Sequence, residues 1–401
     1  MTTANATARI EWVSSQCRLL TALREEYSES RPFDGMKIGT GIHLEPKTVA
    51  LLLTLAAGGA EVVSTGNLNT TQPAAVDYLR HRGVTVIGGP TRDHDEHQSF
   101  LAEVIAAEPD LILDNGGDLF AGYLAAPYEG LRGGTEETTS GRTRLAALRD
   151  RLSMPILVIN DSPIKQFGEN RHAVGQSVFE SMLRITNIMT NGKRVTVFGY
   201  GECGRGVAMN FRNAFAQVTV VDNDPVRRLE AFLDGYIVAS REESIRTADV
   251  VVTVTGAGHV LTADDLPLLK DDVILANAGH FPFEIDVPGM TSAPAVSEVV
   301  PAVNGMDTWI FRNGRRVHTI AEGHMMNLSG PLPLGNSIDS MDLGFALQAR
   351  CLEAVAAKRV GQEHCVVPVP RFIDERVAND YVLSRTTAEE SLGNSAVPLS
   401  R

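Results

Sequence analysis

Residues 193–224 read KRVTVFGYGECGRGVAMNFRNAFAQVTVVDND. An apolar run from Val195 to Phe198 leads into Gly199-x-Gly201-x-x-Gly204, and a second apolar run ends at Asp222. The order predicts strand, tight turn, helix and strand, and each residue type has a physical reason to be there. Gly199 permits the turn out of the strand, Gly201 lets the backbone approach a pyrophosphate, and Gly204 lets the helix pack close to the sheet. The amides of the helix start, at Glu202, then face the phosphates. Asp222 falls where a carboxylate accepts hydrogen bonds from both ribose hydroxyls and repels a 2'-phosphate, so the stretch predicts NAD rather than NADP. Arg227 and Arg228 carry the opposite signal and are expected on the solvated face of the following helix.

The remaining composition is that of a globular enzyme. A chain of 401 residues with 43% hydrophobic and 21% charged residues can bury two cores. Its formal net charge of −13 argues against a nucleic-acid polymer or an anionic membrane as partner. No run is long and apolar enough to span a bilayer, and the best candidate, Val250 to Val254, reads as a buried parallel strand. The N-terminal MTTANATARIEWV lacks the basic and apolar regions of a signal peptide. Cys17, Cys203, Cys351 and Cys365 show no metal-type spacing, which fits reduced thiols and a cytoplasmic location. No metal is expected.

Strand-like runs alternate with helical patterns nearly throughout, so the fold class is α/β, with two doubly wound parallel sheets of Rossmann type. In the first half, residues 61–64, 84–87, 111–113 and 156–159 read as strands, with helices over 47–57 and 97–107. Each strand run ends in small or polar residues, at Asn67, at Asp114-Asn115-Gly116-Gly117-Asp118 and at Asn160-Asp161-Ser162, where ligands of open α/β sheets sit. The expected organisation is a substrate domain over 1–174 and an NAD domain over 175–330. A crossover with its returning helix follows over 331–365, and a C-terminal segment over 366–401 whose polar end, from Thr386, is expected to fray. The cluster Asp93-His94-Asp95-Glu96-His97 has metal-like spacing but reads as a solvated helix start.

Taken in order, the motifs resemble one family over nearly the whole chain, the S-adenosylhomocysteine hydrolases. The resemblance runs through Gly41-Ile42-His43, Asn67 with Thr71-Gln72, Leu113 to Asp118, Glu136-Glu137-Thr138-Thr139, Asn160-Asp161-Ser162 with Lys165, Gly199-Tyr200-Gly201, Gly279-His280-Phe281, and Ala321-Glu322-Gly323 with Asn327. It implies a bilobed enzyme, usually a homotetramer, that holds NAD tightly and regenerates it in each turnover. Members oxidise the 3'-hydroxyl of a nucleoside, eliminate the 5' substituent, add water and return the hydride. By the same resemblance, Lys165 assists deprotonation of the 3'-hydroxyl, Glu137 orients the ribose hydroxyls and His43 acts near C5'. Asn170 lies near that lysine, and Glu169 replaces the family's aspartate. Thr138, Thr139, Asn277 and Asn327 match cofactor contacts, and Gly279 with His280 matches the loop between domains. Alone, each of these has a bland reading: a surface lysine, a helix-entry carboxylate, a loop histidine, turn-forming threonines, a capping asparagine. Their order carries the functional one.

The departures fall on the substrate side. Glu45 and Lys47 stand where the family's adenine contacts lie, and Asn115 stands where it has a catalytic aspartate, although an amide cannot act as a base. The family's Gly-His-Pro-Ser-Phe gate is replaced by Pro333-Leu334-Gly335-Asn336-Ser337, with Leu334 expected beside the substrate, and its Lys-x-x-x-Tyr tail is missing. An intact oxidation apparatus with an altered substrate side suggests a nucleoside dehydratase of antibiotic tailoring. The alternatives are hydrolysis of S-adenosylhomocysteine and a silent NAD-binding regulator. The expected partners are a small nucleoside and further copies of the chain, as a dimer or tetramer.

Overall fold

The computed structural model describes residues 3–331, 333–361 and 365–390. The described residues up to Lys165, with those from Ile338 onward, form one compact unit, and Gln166–Ser337 form another. The divisions therefore fall at Lys165 and Ser337, ahead of 174 and beyond 330. Residues from Gln166 belong to the second unit because they coil without a break into the helix Val174–Thr186, whose Phe179 meets Phe211 edge-on at 5.3 Å in the second core.

Six strands open the first sheet: β1 (Lys37–Ile42), β2 (Glu61–Gly66), β3 (Thr85–Val86), β4 (Leu111–Asp114), β5 (Gly133–Glu136) and β6 (Ile156–Val158). The second unit supplies β7 (Arg194–Phe198), β8 (Gln217–Val221), β9 (Ile237–Val238), β10 (Val250–Thr253), β11 (Val273–Asn277), β12 (Val296–Pro301), β13 (Met306–Phe311) and β14 (Arg316–Ile320). After the crossover, β15 (Val367–Pro368) returns to the first sheet, whose order is β15-β6-β5-β4-β1-β2-β3 with every pairing parallel. Both faces of that sheet are covered, which is why its strands read as unbroken apolar runs. In β4, Leu111 and Leu113 pack into one core and Ile112 into the other. In β1, Ile38 and Ile42 fill one face while Gly39 and Gly41 leave room on the other, where added β-carbons would meet Pro109 and Leu119 at 2.7 and 3.3 Å.

The second sheet has the order β12-β13-β14-β11-β10-β7-β8-β9. Its central strands are parallel, but β12, β13 and β14 form an antiparallel meander at one edge, a departure from the all-parallel expectation. An antiparallel edge on a mostly parallel sheet needs only short turns and no crossover helix.

Element boundaries shift for local reasons. The helix expected over 97–107 is His94–Ala106, because the Asp93 side chain accepts from Glu96 N at its start. The run at 84–87 narrows to Thr85–Val86, and the helix of the returning segment is Ile338–Ala356. Residues 386–390, expected to fray, continue the helix Arg371–Glu390; residues 391–401 and Leu332 lie outside the described residues. No helix among the described residues is long and apolar enough to cross a membrane. The four cysteines are free thiols.

The returning helix is tied to the N-terminal helices through Asp342, which is fully buried and accepts from Leu19 N at 2.8 Å and Leu20 N at 2.9 Å. These amides begin the helix Arg18–Ser30 and have no intrahelical acceptor. Asp342→Ala should strand both, at about 1–3 kcal/mol for each buried donor. The thermal midpoint followed by circular dichroism should fall by several degrees; an unchanged midpoint would show that the capping bonds contribute nothing net.

Candidate active site

In the first sheet the parallel strands end at one edge, and the order reverses between β1 and β4, where an open α/β sheet forms its crevice. The residues that follow β6, β5, β4, β1 and β2 are, in spatial order, the Lys165 segment, Glu137, Asn115, His43 and Asn67. The structure joins them. Lys165 Nζ donates to Glu137 Oε1 at 2.9 Å, Asn115 Nδ2 to Glu137 Oε2 at 2.8 Å, and Asn67 Nδ2 to Asn115 Oδ1 at 3.3 Å. Lys165, Glu137 and Asn115 are all buried. Burial opposes ionisation of Glu137, but the charge and hydrogen bond of Lys165, with Asn115 and His43, hold its pKa below the ordinary carboxylate value. His43 Nδ1 shares a 2.6 Å hydrogen bond with Thr70 Oγ1, whose proton has the Asn67 carbonyl within 3.3 Å.

Lys165 opens a π-helical stretch, Lys165–Ala173, that also carries Glu169 and Asn170; wide turns of this kind cluster at functional sites. Its start is anchored by Ser162 Oγ, which accepts from Ile164 N at 3.1 Å and donates to Asp374 Oδ1 at 2.6 Å. Glu45 and Lys47, at the head of the helix Pro46–Ala57, form a 3.0 Å ion pair with side-chain exposures of 8 and 5%. They are therefore a compensated internal pair, since burying either charge alone is costly.

In the second unit, β7 leads into the glycine turn where the sheet order reverses between β7 and β10. A β-carbon on Gly199, whose φ is +101°, would lie 2.7 Å from Val254 O, and one on Gly204 would lie 2.0 Å from Gly199 O. At Gly201 nothing stands within 4 Å, so the open side of the turn is where a pyrophosphate fits. Asp222 follows β8, and its carboxylate accepts from Tyr200 N at 2.7 Å and Asp224 N at 2.8 Å. Asn327 is buried; Nδ2 donates to Ser177 Oγ at 3.0 Å, while Oδ1 is a buried acceptor without a protein donor. An unsatisfied buried acceptor suits the carboxamide of a nicotinamide. The residues present therefore fit NAD.

Other expected contacts have internal work. Asn277 is wholly buried: Oδ1 accepts from Thr253 Oγ1 and Gly279 N at 3.1 and 2.7 Å, and Nδ2 donates to Phe281 O and Gly323 O at 2.8 and 2.9 Å. It thus shapes the Gly279-His280 loop. Glu202 is paired with Arg171 at 2.6 Å and Arg205 at 3.1 Å. The Thr138 hydroxyl donates to Glu136 Oε1 at 2.7 Å and accepts from Gly141 N at 2.9 Å, capping the helix that begins at Thr139. Arg228, partly exposed, donates to the carbonyls of Asp222 and Asn223, each at 3.0 Å, while Arg227 pairs with Glu230 at 2.9 Å. Leu334 is 44% exposed. Next to it, Asn336 accepts from Ser177 Oγ at 2.9 Å and donates to Glu169 Oε1 at 3.4 Å. Thr70, Ser162, Ser177 and Asn336 were not singled out from the sequence as site partners, because their contacts are long-range and their residue types common. In the metal-like cluster, Asp93 is a cap and His97 turns inward to Gly66 O at 3.1 Å.

Comparison with known proteins gives the same alignment of parts. Residues 170–331 match the family model described as S-adenosyl-L-homocysteine hydrolase, NAD binding domain, and residues 4–126 the one described as S-adenosyl-L-homocysteine hydrolase. The chain is 39% identical over 377 residues to an adenosylhomocysteinase of Thermotoga maritima, covering 92% of each. It is 38% identical over 376 residues to an S-inosyl-L-homocysteine hydrolase of Methanopyrus kandleri, covering 92% of this chain and 88% of the relative. A third relative, the S-inosyl-L-homocysteine hydrolase of Methanosarcina mazei, is 36% identical over 391 residues, 96% of this chain and 93% of that one.

Two substitutions test the site. Gly204→Ala should leave purified protein without its complement of NAD, measured by extracting and quantifying cofactor; because Ala favours a helix over Gly, reduced helix propensity cannot explain a loss. Glu137→Gln removes the carboxylate that Lys165 meets at 2.9 Å, and losing one partner of a buried ion pair costs about 3–5 kcal/mol. The sign with pH follows from the depressed pKa: the stability due to ionised Glu137 is full above its unfolded value and is lost as pH falls through the lower folded value. The wild-type melting temperature should drop on acidification below about pH 4, and the Gln variant should lack that component.

Proposed function

Because the chain belongs to the S-adenosyl-L-homocysteine hydrolase family, we propose that it oxidises a nucleoside at C3' and eliminates water from C4' and C5', acting as an NAD-dependent nucleoside dehydratase. One observation carries the reading: Lys165, Glu137 and Asn115 are joined by hydrogen bonds with an amide in place of a carboxylic acid. The oxidation apparatus is whole, while one proton-carrying group is gone.

In this reading Glu137 accepts hydrogen bonds from the ribose hydroxyls, and Lys165, made neutral when the positive charge of bound NAD⁺ adds to its burial, takes the proton of the 3'-hydroxyl. NAD, when bound, takes up the C3' hydride and later returns it. The 3'-ketone so produced makes the C4' hydrogen acidic by enolate delocalisation, and a side-chain base removes it. Asn115 cannot do so, which leaves Glu169 or His43. His43 delivers a proton to the 5'-hydroxyl, which departs as water, and the double bond forms between C4' and C5'. Lys165 then gives its proton to the oxygen at C3', which restores the hydroxyl once the hydride is back. The net change is loss of one water, in keeping with nucleoside-antibiotic tailoring.

The altered gate supports a substrate without an amino-acid tail, since Asn336 is tied to Ser177 and Glu169. Asn67, Glu45, Lys47 and Leu334 are proposed as substrate contacts. A second reading is favoured by the relatives, whose names give hydrolases of adenosyl- and inosylhomocysteine. A buried carboxylate and ammonium offer an acceptor and a donor to either purine's pyrimidine edge. We further propose assembly into a homodimer or homotetramer.

Purified protein should convert an adenine or hypoxanthine nucleoside, pentose or ketose, to a product lighter by one water in mass spectrometry. Absence of that product across the panel, with release of free thiol from S-adenosyl- or S-inosylhomocysteine, would replace dehydration by hydrolysis. Lys165→Ala should abolish the transient reduced-nicotinamide absorbance in either case.

A further inference from the structure

Immediately before Asn115 and Glu137 in sequence stand two more carboxylates, Asp114 and Glu136, opposite each other where β4 and β5 end. They are 1 and 0% exposed, on the covered face of the sheet, and neither lies among the groups that meet substrate. Four donors converge on Glu136. Gly116 N reaches Oε1 at 3.1 Å, Gly117 N reaches Oε2 at 3.0 Å, and Thr138 N and Oγ1 each reach Oε1 at 2.7 Å. Asp114 accepts from Asn115 N at 2.9 Å and Phe120 N at 3.1 Å. Three glycines make room for this arrangement. Gly116 and Gly117 have φ of +114° and +76°, and a β-carbon on Gly141 would lie 2.1 Å from the Glu136 carboxyl carbon.

We propose that Asp114 and Glu136 are positioning residues, whose hydrogen bonds to the two turns set where Asn115 and Glu137 present their side chains to the ribose. The inference rests on the proposed reaction for its kinetic consequence, though not for its structural one. Every donor on the pair belongs to residues 115–120 or to Thr138, the loops that carry the two site residues. A carboxylate held by backbone donors fixes a turn more tightly than water can, because charge-assisted bonds are about twice as strong as neutral ones. Two adjacent buried carboxylates do not both ionise at little cost, so the pair shares a proton. The donor count favours the charge on Glu136 and the proton on Asp114, although burial raises both carboxyls, Asp114 with the charge of Asp118 and Glu136 with that of Asp114. The charged groups facing the pair are Asp118 and Arg144, which are themselves paired.

The test compares NAD-loaded wild type with Gly141→Ala, Glu136→Gln and Asp114→Asn. Gly141→Ala drives a methyl into the carboxylate from within a helix that otherwise favours Ala, and touches nothing proposed to meet substrate. Both Gly141→Ala and Glu136→Gln should retain NAD, yet the rate at which the transient reduced-nicotinamide absorbance appears on adding nucleoside should fall about 100-fold, as misplacement near 1 Å does. In wild type, turnover should fall as pH rises and the pair loses its shared proton, and Asp114→Asn should lack that limb. Wild-type turnover and pH profile in all variants would overturn the inference. If instead wild type shows no hydride transfer with any nucleoside, the proposed reaction fails by itself, and amide exchange decides the positioning role. Faster exchange at Gly116, Gly117 and Thr138 in whichever of Gly141→Ala and Glu136→Gln folds sustains that role; unchanged exchange ends it.

Discussion

Two opposite charges buried within 2.9 Å of each other, on Lys165 and Glu137, set the terms for the first unit's carboxyl edge. Such a pair is tolerated only when its remaining donors and acceptors are satisfied, since the desolvation of each ion amounts to several kcal/mol. Glu137 meets the condition with Lys165 on one oxygen and Asn115 on the other. That in turn demands that β5 and β4 be neighbours and that the chain return after β6 with Lys165 at the head of a wide helical turn. The crevice at the reversal between β1 and β4 and the ion pair beside it are consequences of one strand order.

The same structure uses buried carboxylates to hold backbone. Glu136 gathers the glycine turn, Asp342 caps a helix from another segment, and Glu284 accepts from Thr255 N, Thr255 Oγ1 and Gly256 N at 3.0, 3.0 and 2.7 Å. In each case burial raises the carboxyl's pKa while the backbone donors work against it. Each lies beside a loop that follows a strand or begins a helix, where backbone amides lack partners. Loops that bear function are thereby kept rigid without a covering layer of apolar residues.

The glycine spacing at Gly199, Gly201 and Gly204, the continuous apolar strands and the polar strand ends were legible because local backbone geometry demands those residue types. Lys165, Glu137 and Asn115 could be grouped only through the ordered resemblance, because residues at the ends of different strands share no local pattern. The antiparallel edge at β12 to β14 is not legible because residue types along a strand carry no sign of its direction. The partners of Arg228 are not legible for a related reason: helical periodicity sets its face but not the carbonyls of Asp222 and Asn223 it reaches. Asp114 and Glu136 were read as parts of motifs, while their support of the neighbouring residues needed the register of β4 and β5.

Asn115 shows how one atom type redirects a site. An aspartate there would put a second carboxylate 2.8 Å from Glu137, and the repulsion would raise the pKa of one of them, creating a carboxylic acid able to hand a proton across the site. The amide donates instead, so Glu137 remains an anion paired with Lys165 and keeps its capacity to orient hydroxyls. What is lost is proton exchange at that position. On the proposed reaction, the C4' and C5' protons then pass through other groups. The proposed reaction gives that task to Glu169, in the wide helical turn after Lys165, or to His43, which follows β1.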